Sequence, residues 1–339
     1  MRRNRSFPAR CGDPLASPPR SLRTGLLSLL LVSSVLGLAG SRLEAATPAP
    51  SPSTGAPWFR PGPQAGAFTF DTGLLRGTLR REGRALGLSE VVHIPTGRRL
   101  DRSNGLLSHY RVFTRGVRYG GGAWDWPSTA QLLENGAVEV TWPAADGRPF
   151  DLVARYRWHD AASLDVETVV RAKAALRAFE SFLACYFDAA FSNCLVSVKP
   201  ASGGGTAPHL LRARRELGEW LMAPRDDAAA AVIRDGRWKL EPNPVAWTLL
   251  PPLARPLALR RDPGSGLTAI LLAPPQDCFA VAMPHEAEGH YSLYFSLFGR
   301  DLAAGEEAVA RTRLVLAVSP TDAQTERQYE AYLREEGAR

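Results

Sequence analysis

The 339-residue sequence lacks the motifs that carry several common chemistries. It has no Walker loop, GxSxG elbow, HExxH pair or dinucleotide fingerprint. Phosphoryl transfer, serine hydrolysis, zinc proteolysis and hydride transfer therefore have no support. A CxxC or similar metal-binding spacing is also missing, which argues against structural zinc. We accordingly predict no metal and no cofactor.

Cysteine is scarce, with four residues in the chain. Cys11 lies in the N-terminal leader described below, so Cys185, Cys194 and Cys278 remain, and at most one disulfide can form among three. Cys185 and Cys194 are the closer pair in sequence, and an oxidising compartment would permit their disulfide. The alternative is that these residues are buried thiols.

The positive net charge is concentrated near the N-terminus. Residues 1–45 hold seven arginines against Asp13 and Glu44, which leaves 34 basic and 32 acidic residues in the rest of the chain. No Lys/Arg-rich block follows. This balance lacks the electrostatic footprint of a nucleic-acid-binding protein, so no nucleic-acid partner is predicted.

Residues 1–45 have the three parts of a secretory signal peptide. Arginines are followed by an apolar run of 14 residues, Leu26 to Ala39, which is short for a membrane span. Ala39-Gly40-Ser41 fits a cleavage site, and Ala45 marks a second. We expect a secreted or periplasmic protein with no stable membrane span after cleavage; the alternative is a retained anchor.

Short strands dominate the pattern after the leader. Residues 46–66 are rich in Pro, Ala, Ser and Gly and read as a linker. From Ala67 onward apolar residues alternate with polar ones, most clearly over residues 150–158. Similar strands, separated by turn signals, are predicted over segments 137–142, 164–170, 231–240, 257–261, 267–272, 291–299 and 308–318.

The pattern predicts an all-β fold with one helix at its end. Residues 174–187 fit either a helix or a strand, and aromatic residues favour a strand from Glu180 onward. Thr321 begins a segment with a capping signal and helical periodicity. No internal repeat is visible. We therefore predict a large antiparallel β-sandwich over residues 67–320 and a short C-terminal helix over residues 321–339.

Part of this strand pattern resembles the galactose mutarotase-like β-supersandwich superfamily. The segment from Glu288 to Glu306 followed by a strand over Ala310–Leu316 is similar to the closing strands of that fold, which flank a short Gly-Glu loop. Short strands around Gly77–Leu79 and Leu86–His93, with a Thr96-Gly97 turn, are similar to its opening. The resemblance spans about residues 67–318.

The resemblance implies a sugar-binding cleft on one concave sheet. Aldose 1-epimerases of this superfamily use a His as general acid and a Glu as general base, but their Asn-His motif is missing here. No catalytic His is carried over by motif. The superfamily also contains sugar-binding domains without activity and domains of polysaccharide lyases.

Residues 108–128 hold the predicted ligand-binding groups. Sugar rings are bound by flat aromatic faces, and their hydroxyls by planar or charged hydrogen-bonding groups. Both kinds of group surround the flexible Gly120-Gly121-Gly122 element. Alternatively, the tryptophans are core residues and the arginines are solvated. The predicted binding residues in this segment are Arg111, Arg118, Tyr119, Trp124, Asp125 and Trp126. Tyr186, further along the chain, is predicted to join them.

Acid–base catalysis would need a His or carboxylate near the sugar. His109, His285 and His290 are the candidates, and the last two belong to a loop that is otherwise read as solvated and acidic. Glu180 stands among aromatic residues, where burial would raise its pKa, although an exposed strand position would explain it equally.

Three functions follow from these observations. The first is an exported carbohydrate-binding protein that holds a sugar or glycan in a cleft. The second is a carbohydrate-active enzyme, epimerase-like or lyase-like, and the third is a structural β-sandwich of the cell envelope. A carbohydrate ligand is the predicted partner, and no oligomeric state is predicted.

Overall fold

The computed structural model describes most of the chain after the linker. The predicted signal peptide over residues 1–45 and most of the predicted linker lie outside the described residues. The described residues are 58–80, 82, 84–200, 207–285 and 289–338.

These residues form mainly β-strands. The strands are β1 Phe59–Pro61, β2 Phe68–Asp71, β3 Leu75–Leu79, β4 Leu88–His93, β5 Arg98–Arg99, β6 Ser108–Thr114, β7 Val117–Arg118, β8 Thr129–Leu132, β9 Val138–Trp142, β10 Phe150–Asp160, β11 Ser163–Ala172, β12 Leu176–Tyr186, β13 Asn193–Val198, β14 His209–Arg212, β15 Trp220–Pro224, β16 Thr248–Leu249, β17 Leu253–Arg261, β18 Leu267–Leu272, β19 Cys278–Pro284, β20 Ser292–Leu302 and β21 Glu307–Val318. The α-helices are α1 Asp227–Ile233 and α2 Asp322–Gly337, and short 3-10 helices span Ala123–Asp125, Arg215–Leu217 and Arg237–Lys239.

The strands form three sheets. A five-stranded sheet has the order β1-β2-β3-β4-β5, a nine-stranded sheet β14-β13-β17-β18-β21-β11-β10-β9-β8, and a seven-stranded sheet β16-β15-β19-β20-β12-β6-β7. Within these sheets β15 and β16 are parallel, over two residues, and the other pairings are antiparallel. The predicted all-β, antiparallel sandwich is confirmed.

Strand alternation places the main core. On β10, Phe150, Leu152 and Tyr156 are buried while Arg157 is exposed, as the two-residue period predicts. On β12, Leu183 points into a core that is shared by residues of all three sheets. Each large sheet thus packs one face into the main core, and its outer face carries a separate, smaller cluster.

The outer face of the nine-stranded sheet is covered by α2. Thr321 caps this helix in a reciprocal capping box with Gln324, which confirms the predicted helix start. Tyr329 and Tyr332 of the helix are buried against a cluster that includes Ile270 of the sheet. This helix therefore closes one side of the sandwich.

Two sequence predictions of local structure are wrong. Strand β1 lies inside the predicted linker, because Phe59 is fully buried against Phe70 and Trp158 and so ties this segment to the fold. The strand predicted over residues 231–240 is instead the end of α1 and a 3-10 helix. Asp226 caps α1 by accepting a hydrogen bond from the Ala229 amide, and the alanines that follow favour a helix.

The described cysteines are buried free thiols. Cys185 and Cys194 are not paired with each other, so the disulfide alternative is wrong and the buried-thiol alternative holds. Burial raises the pKa of the Cys185 thiol to about 12. Among the described residues no helix is long and apolar enough to cross a membrane.

Candidate functional site

A cavity of about 580 Å³ lies on the outer face of the seven-stranded sheet, the face that points away from the main core. Seven of its thirteen lining residues are Trp, Tyr or Phe, and we name it the aromatic cleft. The residues that line it are Tyr110, Arg111, Phe182, Tyr186, Trp220, Trp238, Asn243, Pro244, Val245, Ala246, Trp247, His290 and Tyr294.

The floor of the aromatic cleft comes from two central strands. Phe182 and Tyr186 are on β12, four residues apart, and Tyr294 is on the neighbouring β20. The rings of Phe182 and Tyr294 stack with centroids 4.6 Å apart, and Tyr186 meets Tyr294 edge to face at 5.7 Å. All three side chains are buried, so the floor is rigid and largely apolar.

Three tryptophans and a histidine form the rim of the aromatic cleft through a chain of ring contacts. Trp247 meets Trp220 at 5.8 Å and Trp238 at 5.2 Å, both with nearly perpendicular rings. His290 contacts Trp220 at 5.5 Å. Trp220 and Trp247 are half-buried, which leaves part of each indole ring available to a ligand.

The facing wall is a stack of two rings. Tyr110 lies parallel to Trp124 with centroids 4.3 Å apart, and Trp124 meets Tyr186 at 6.1 Å. A Cβ at Gly122 would lie 2.9 Å from the Trp124 ring and 3.0 Å from the Tyr110 ring. Gly122 therefore makes room for this stack of rings.

Arg111 is the charged residue of the wall. Its side chain is buried, and its guanidinium lies 5.0 Å from the Tyr110 ring and 5.3 Å from the Trp238 ring. Nη2 donates a hydrogen bond to the Asn243 carbonyl at 2.8 Å, which holds the loop that borders the cleft. Arg111 therefore combines loop anchoring with a positive charge at the cavity wall.

Three groups in the cleft can exchange or donate protons. His290 Nδ1 lies 3.4 Å from the Tyr294 hydroxyl, and the His290 ring lies 5.8 Å from Tyr186. Burial raises the pKa of Tyr294 to about 12 and raises the pKa of Tyr186 as well. Both tyrosines are therefore protonated at neutral pH and act as hydrogen-bond donors rather than bases.

Glu180 is on the same sheet face but does not line the cleft. It is fully buried, and its Oε2 accepts a hydrogen bond from Arg237 Nη1 at 2.9 Å. Arg237 also binds Asp235 and the Ala178 carbonyl. Burial raises the pKa of Glu180, and the charge of Arg237 opposes this rise. The predicted acid–base candidate Glu180 thus lies buried outside the aromatic cleft, with one carboxylate oxygen bound by Arg237.

His109 and His285 are also outside the aromatic cleft. His109 precedes Tyr110 on β6, so alternation turns it toward the core, where its ring contacts Trp142 at 5.4 Å and binds the Ser181 hydroxyl at 3.0 Å. Burial lowers the pKa of His109 to about 3. His285 follows the end of β19, where its backbone N–H donates to the Glu219 carbonyl.

Four other predicted binding residues do not line the aromatic cleft. Arg118 donates to the carbonyls of Gly120, Gly121, Leu240 and Pro242 and so joins two loops. The remaining three lie against other side chains: Tyr119 packs on Phe150, Asp125 pairs with Arg84 at 2.5 Å, and Trp126 stacks under Arg148. Trp124 supports the Tyr110 wall, while the predicted site residues Arg111, Tyr186 and His290 line the cleft.

Much of the aromatic cleft comes from residues 220–247, which the sequence analysis did not single out as a site. Trp220, Trp238 and Trp247 all lie in this segment, and the loop from Asn243 to Ala246 connects the last two. Three of the eight tryptophans within 28 residues is a signal that could have pointed to it. The segment was instead interpreted as part of the strand meander, because a strand was predicted over residues 231–240.

A second cavity, of about 500 Å³, lies between α2 and the nine-stranded sheet. Its charged residues neutralise one another: Arg155 binds Glu139 at 2.8 Å and Glu167 at 2.7 Å, and Arg313 nearby binds Asp165 at 2.6 Å. These ion pairs support the sheet and helix. Among the residues that the structure describes, no group of three or more His, Cys, Asp or Glu is placed to hold a metal ion.

Comparisons with known proteins found similar structures. An α-N-acetylgalactosaminidase from Bifidobacterium bifidum is 13% identical with a TM-score of 0.47, and covers 80% of this chain, which spans 38% of that enzyme. The Slr1438 protein from Synechocystis is 13% identical with a TM-score of 0.44, and the match covers 81% of this chain and 100% of that protein. A GalM/aldose epimerase homologue from C. elegans is 8% identical with a TM-score of 0.41, and the match covers 73% of this chain and 96% of that protein. No family model and no curated protein matches the chain.

Proposed function

We propose that this chain is an exported carbohydrate-binding protein of the mutarotase-like type, which holds a sugar or glycan in the aromatic cleft. The observation that carries the proposal is the cleft itself, a cavity of about 580 Å³ in which seven of thirteen lining residues are aromatic. A purely structural sandwich would gain nothing from leaving this aromatic face uncovered, since exposed apolar surface costs roughly 25 cal/mol per Å².

The lining offers both kinds of contact that a sugar needs. The half-buried faces of Trp220, Trp247 and Tyr110 can pack on the C–H surfaces of sugar rings. The Asn243 amide and His290 provide hydrogen-bonding groups for hydroxyls. A mostly apolar pocket with a few placed polar groups is the common form of a small-molecule site.

The arrangement favours binding over carboxylate-based catalysis. None of the lining residues that the structure describes is Asp or Glu, and Glu180 is held by Arg237 beneath the surface. An enzyme remains the second candidate because His290 lies 3.4 Å from the Tyr294 hydroxyl in the cleft. In that reaction His290 would accept a proton and a tyrosine would donate one.

Tryptophan fluorescence and calorimetry with a panel of mono- and oligosaccharides test the binding proposal. At least one sugar should bind the wild-type protein, and Trp247→Ala should weaken that binding about tenfold through loss of ring contact. Trp126→Ala is the matched control, because Trp126 is also half-buried but lies outside the cleft. Absence of binding across the panel, or equal weakening by both variants, would contradict the proposal.

Turnover separates the two candidates. We expect no conversion of any bound sugar when products are followed by chromatography and by NMR of the anomeric protons. Conversion by the wild-type protein that is lost in His290→Ala, with binding retained, would establish the enzyme instead.

Export is proposed on the leader alone. Residues 1–45 have a cationic segment, an apolar segment and small residues in the order of a signal peptide. N-terminal sequencing of the protein from its native host should find a start after Ser41 or Ala45. A mature chain that begins at Met1 would refute cleavage.

A further inference from the structure

Arg111 is a buried cation without a counter-ion. Its side chain is only 5% exposed, and among the described residues it forms no ion pair. Its single hydrogen bond, from Nη2 to the Asn243 carbonyl, leaves Nε and Nη1 without partners. A buried charge is costly unless it is paired, so Arg111 is a candidate partner for an anion.

The other unpartnered polar atoms of the cleft have the same character. Trp238 Nε1 and Trp247 Nε1 are buried and have no acceptor in the part of the chain that the structure describes. Together with those of Arg111, the buried side-chain atoms without a partner on the residues that line the cleft are all hydrogen-bond donors. A ligand that fits this lining must therefore supply acceptors.

Among the described residues no carboxylate forms an ion pair with Arg111, and the nearby Glu241 acts on Arg118 instead. Glu180 and Asp235 are both engaged by Arg237. Arg118 adds a second positive charge, and its pKa is lowered by burial and, to a smaller extent, by repulsion from Arg111. Tyr110 and Trp238 offer their ring faces to the guanidinium, which stabilises the cation without cancelling its charge.

We propose that the aromatic cleft takes an acidic saccharide, whose carboxylate or sulfate group is held by the charge of Arg111. This rests on the proposed carbohydrate binding and specifies its ligand class. The aromatic faces bind the ring, as for a neutral sugar, and the anion adds the charge-assisted interaction that Arg111 lacks. The loop carbonyl of Asn243 already fixes the guanidinium, so little side-chain order is lost on binding.

Matched ligands test this on the wild-type protein. Oligomers of galacturonate, glucuronate and mannuronate are compared with their methyl esters, which are neutral, and a sulfated oligosaccharide with its desulfated form. By calorimetry the preferred acid should bind about tenfold or more tightly than its neutral counterpart. That preference should shrink as salt is raised. The uronate and sulfate arms identify which anion is used.

Variants assign the effect to one residue. Arg111→Gln should abolish the preference for the acid while neutral sugars still bind, and Arg111→Lys should retain most of it because the charge remains. Arg118→Gln is the control, since it removes a neighbouring cation that does not line the cleft. Circular dichroism and melting curves verify that each variant is folded.

The outcomes separate this inference from the function on which it rests. Equal affinity for each acid and its neutral counterpart overturns the inference and leaves carbohydrate binding intact. Failure of every saccharide, neutral or acidic, to bind overturns both. If Arg111→Gln does not fold, the comparison of acid with ester in wild-type protein still decides, and an acid preference equally reduced in Arg118→Gln would contradict the assignment to Arg111.

Discussion

Acidification should destabilise the fold through His109, whose ring is fully buried between the sheets. Burial lowers its pKa to about 3 in the folded protein, whereas the unfolded chain has a pKa near the ordinary value of 6.5. Below that ordinary value the unfolded state binds more protons, so stability falls as the pH decreases toward 3. At about 1.4 kcal/mol per pH unit, His109 should remove about 3 kcal/mol between pH 7 and pH 4.

Urea denaturation at several pH values, followed by tryptophan fluorescence, measures this loss. His109→Leu keeps an apolar side chain at the site and removes its titration, so the difference between wild type and variant isolates His109 from the carboxyl groups that titrate in both. The unfolding free energy of the wild type, relative to that of the variant, should fall by about 3 kcal/mol between pH 7 and pH 4. Parallel pH profiles would show that His109 can be protonated in the folded state and would refute its placement in the core.

Three further predictions concern the supports of the cleft and the helix. Arg237→Met leaves Glu180 buried without its partner and should lower the unfolding free energy by about 3–5 kcal/mol, measured by urea denaturation. The double variant with Glu180→Leu should recover most of this loss, and no recovery would contradict the pairing. Gly122→Ala should cost about 1–3 kcal/mol and weaken sugar binding, because its Cβ would meet the Tyr110 and Trp124 rings, while Gly121→Ala, which has open space, should do neither. Thr321→Ala should lower stability by about 1 kcal/mol through loss of the α2 cap, measured by thermal melting, and an unchanged melting temperature would argue against the capping box.

The fold followed from patterns that are local in the sequence. Alternation over residues 150–158 predicted β10 and its two faces, because a strand with one wet face needs polar residues at every second position. Thr321 predicted the start of α2, because a capping side chain satisfies a backbone N–H within the next three residues, and the structure adds Gln324 as the second half of the capping box. Phe59 escaped this reasoning, since a single buried ring in a Pro-rich segment has no periodicity to reveal it.

The site depended on pairings between distant residues. The cover over Glu180 comes from Arg237, 57 positions away, and no local pattern connects the two. His109 and Tyr110 are adjacent, yet one faces the core and the other lines the cleft, so a segment rich in polar and aromatic groups supplied both site residues and core residues. Assigning them required the phase of β6 relative to its neighbours, which the sequence of that strand alone does not fix.

The outer face of the seven-stranded sheet links these observations to function. The segment from Asp227 to Leu249 covers part of it, placing Ile233 and Trp238 against Phe182, in the way that α2 covers the nine-stranded sheet. Unlike α2, it stops short of filling the surface and leaves a walled cavity whose buried unpartnered atoms are N–H donors. Since unpaired buried donors lower stability, a protein that keeps them beside an open aromatic floor gives up folding free energy at a place where a ligand rich in acceptors would restore it.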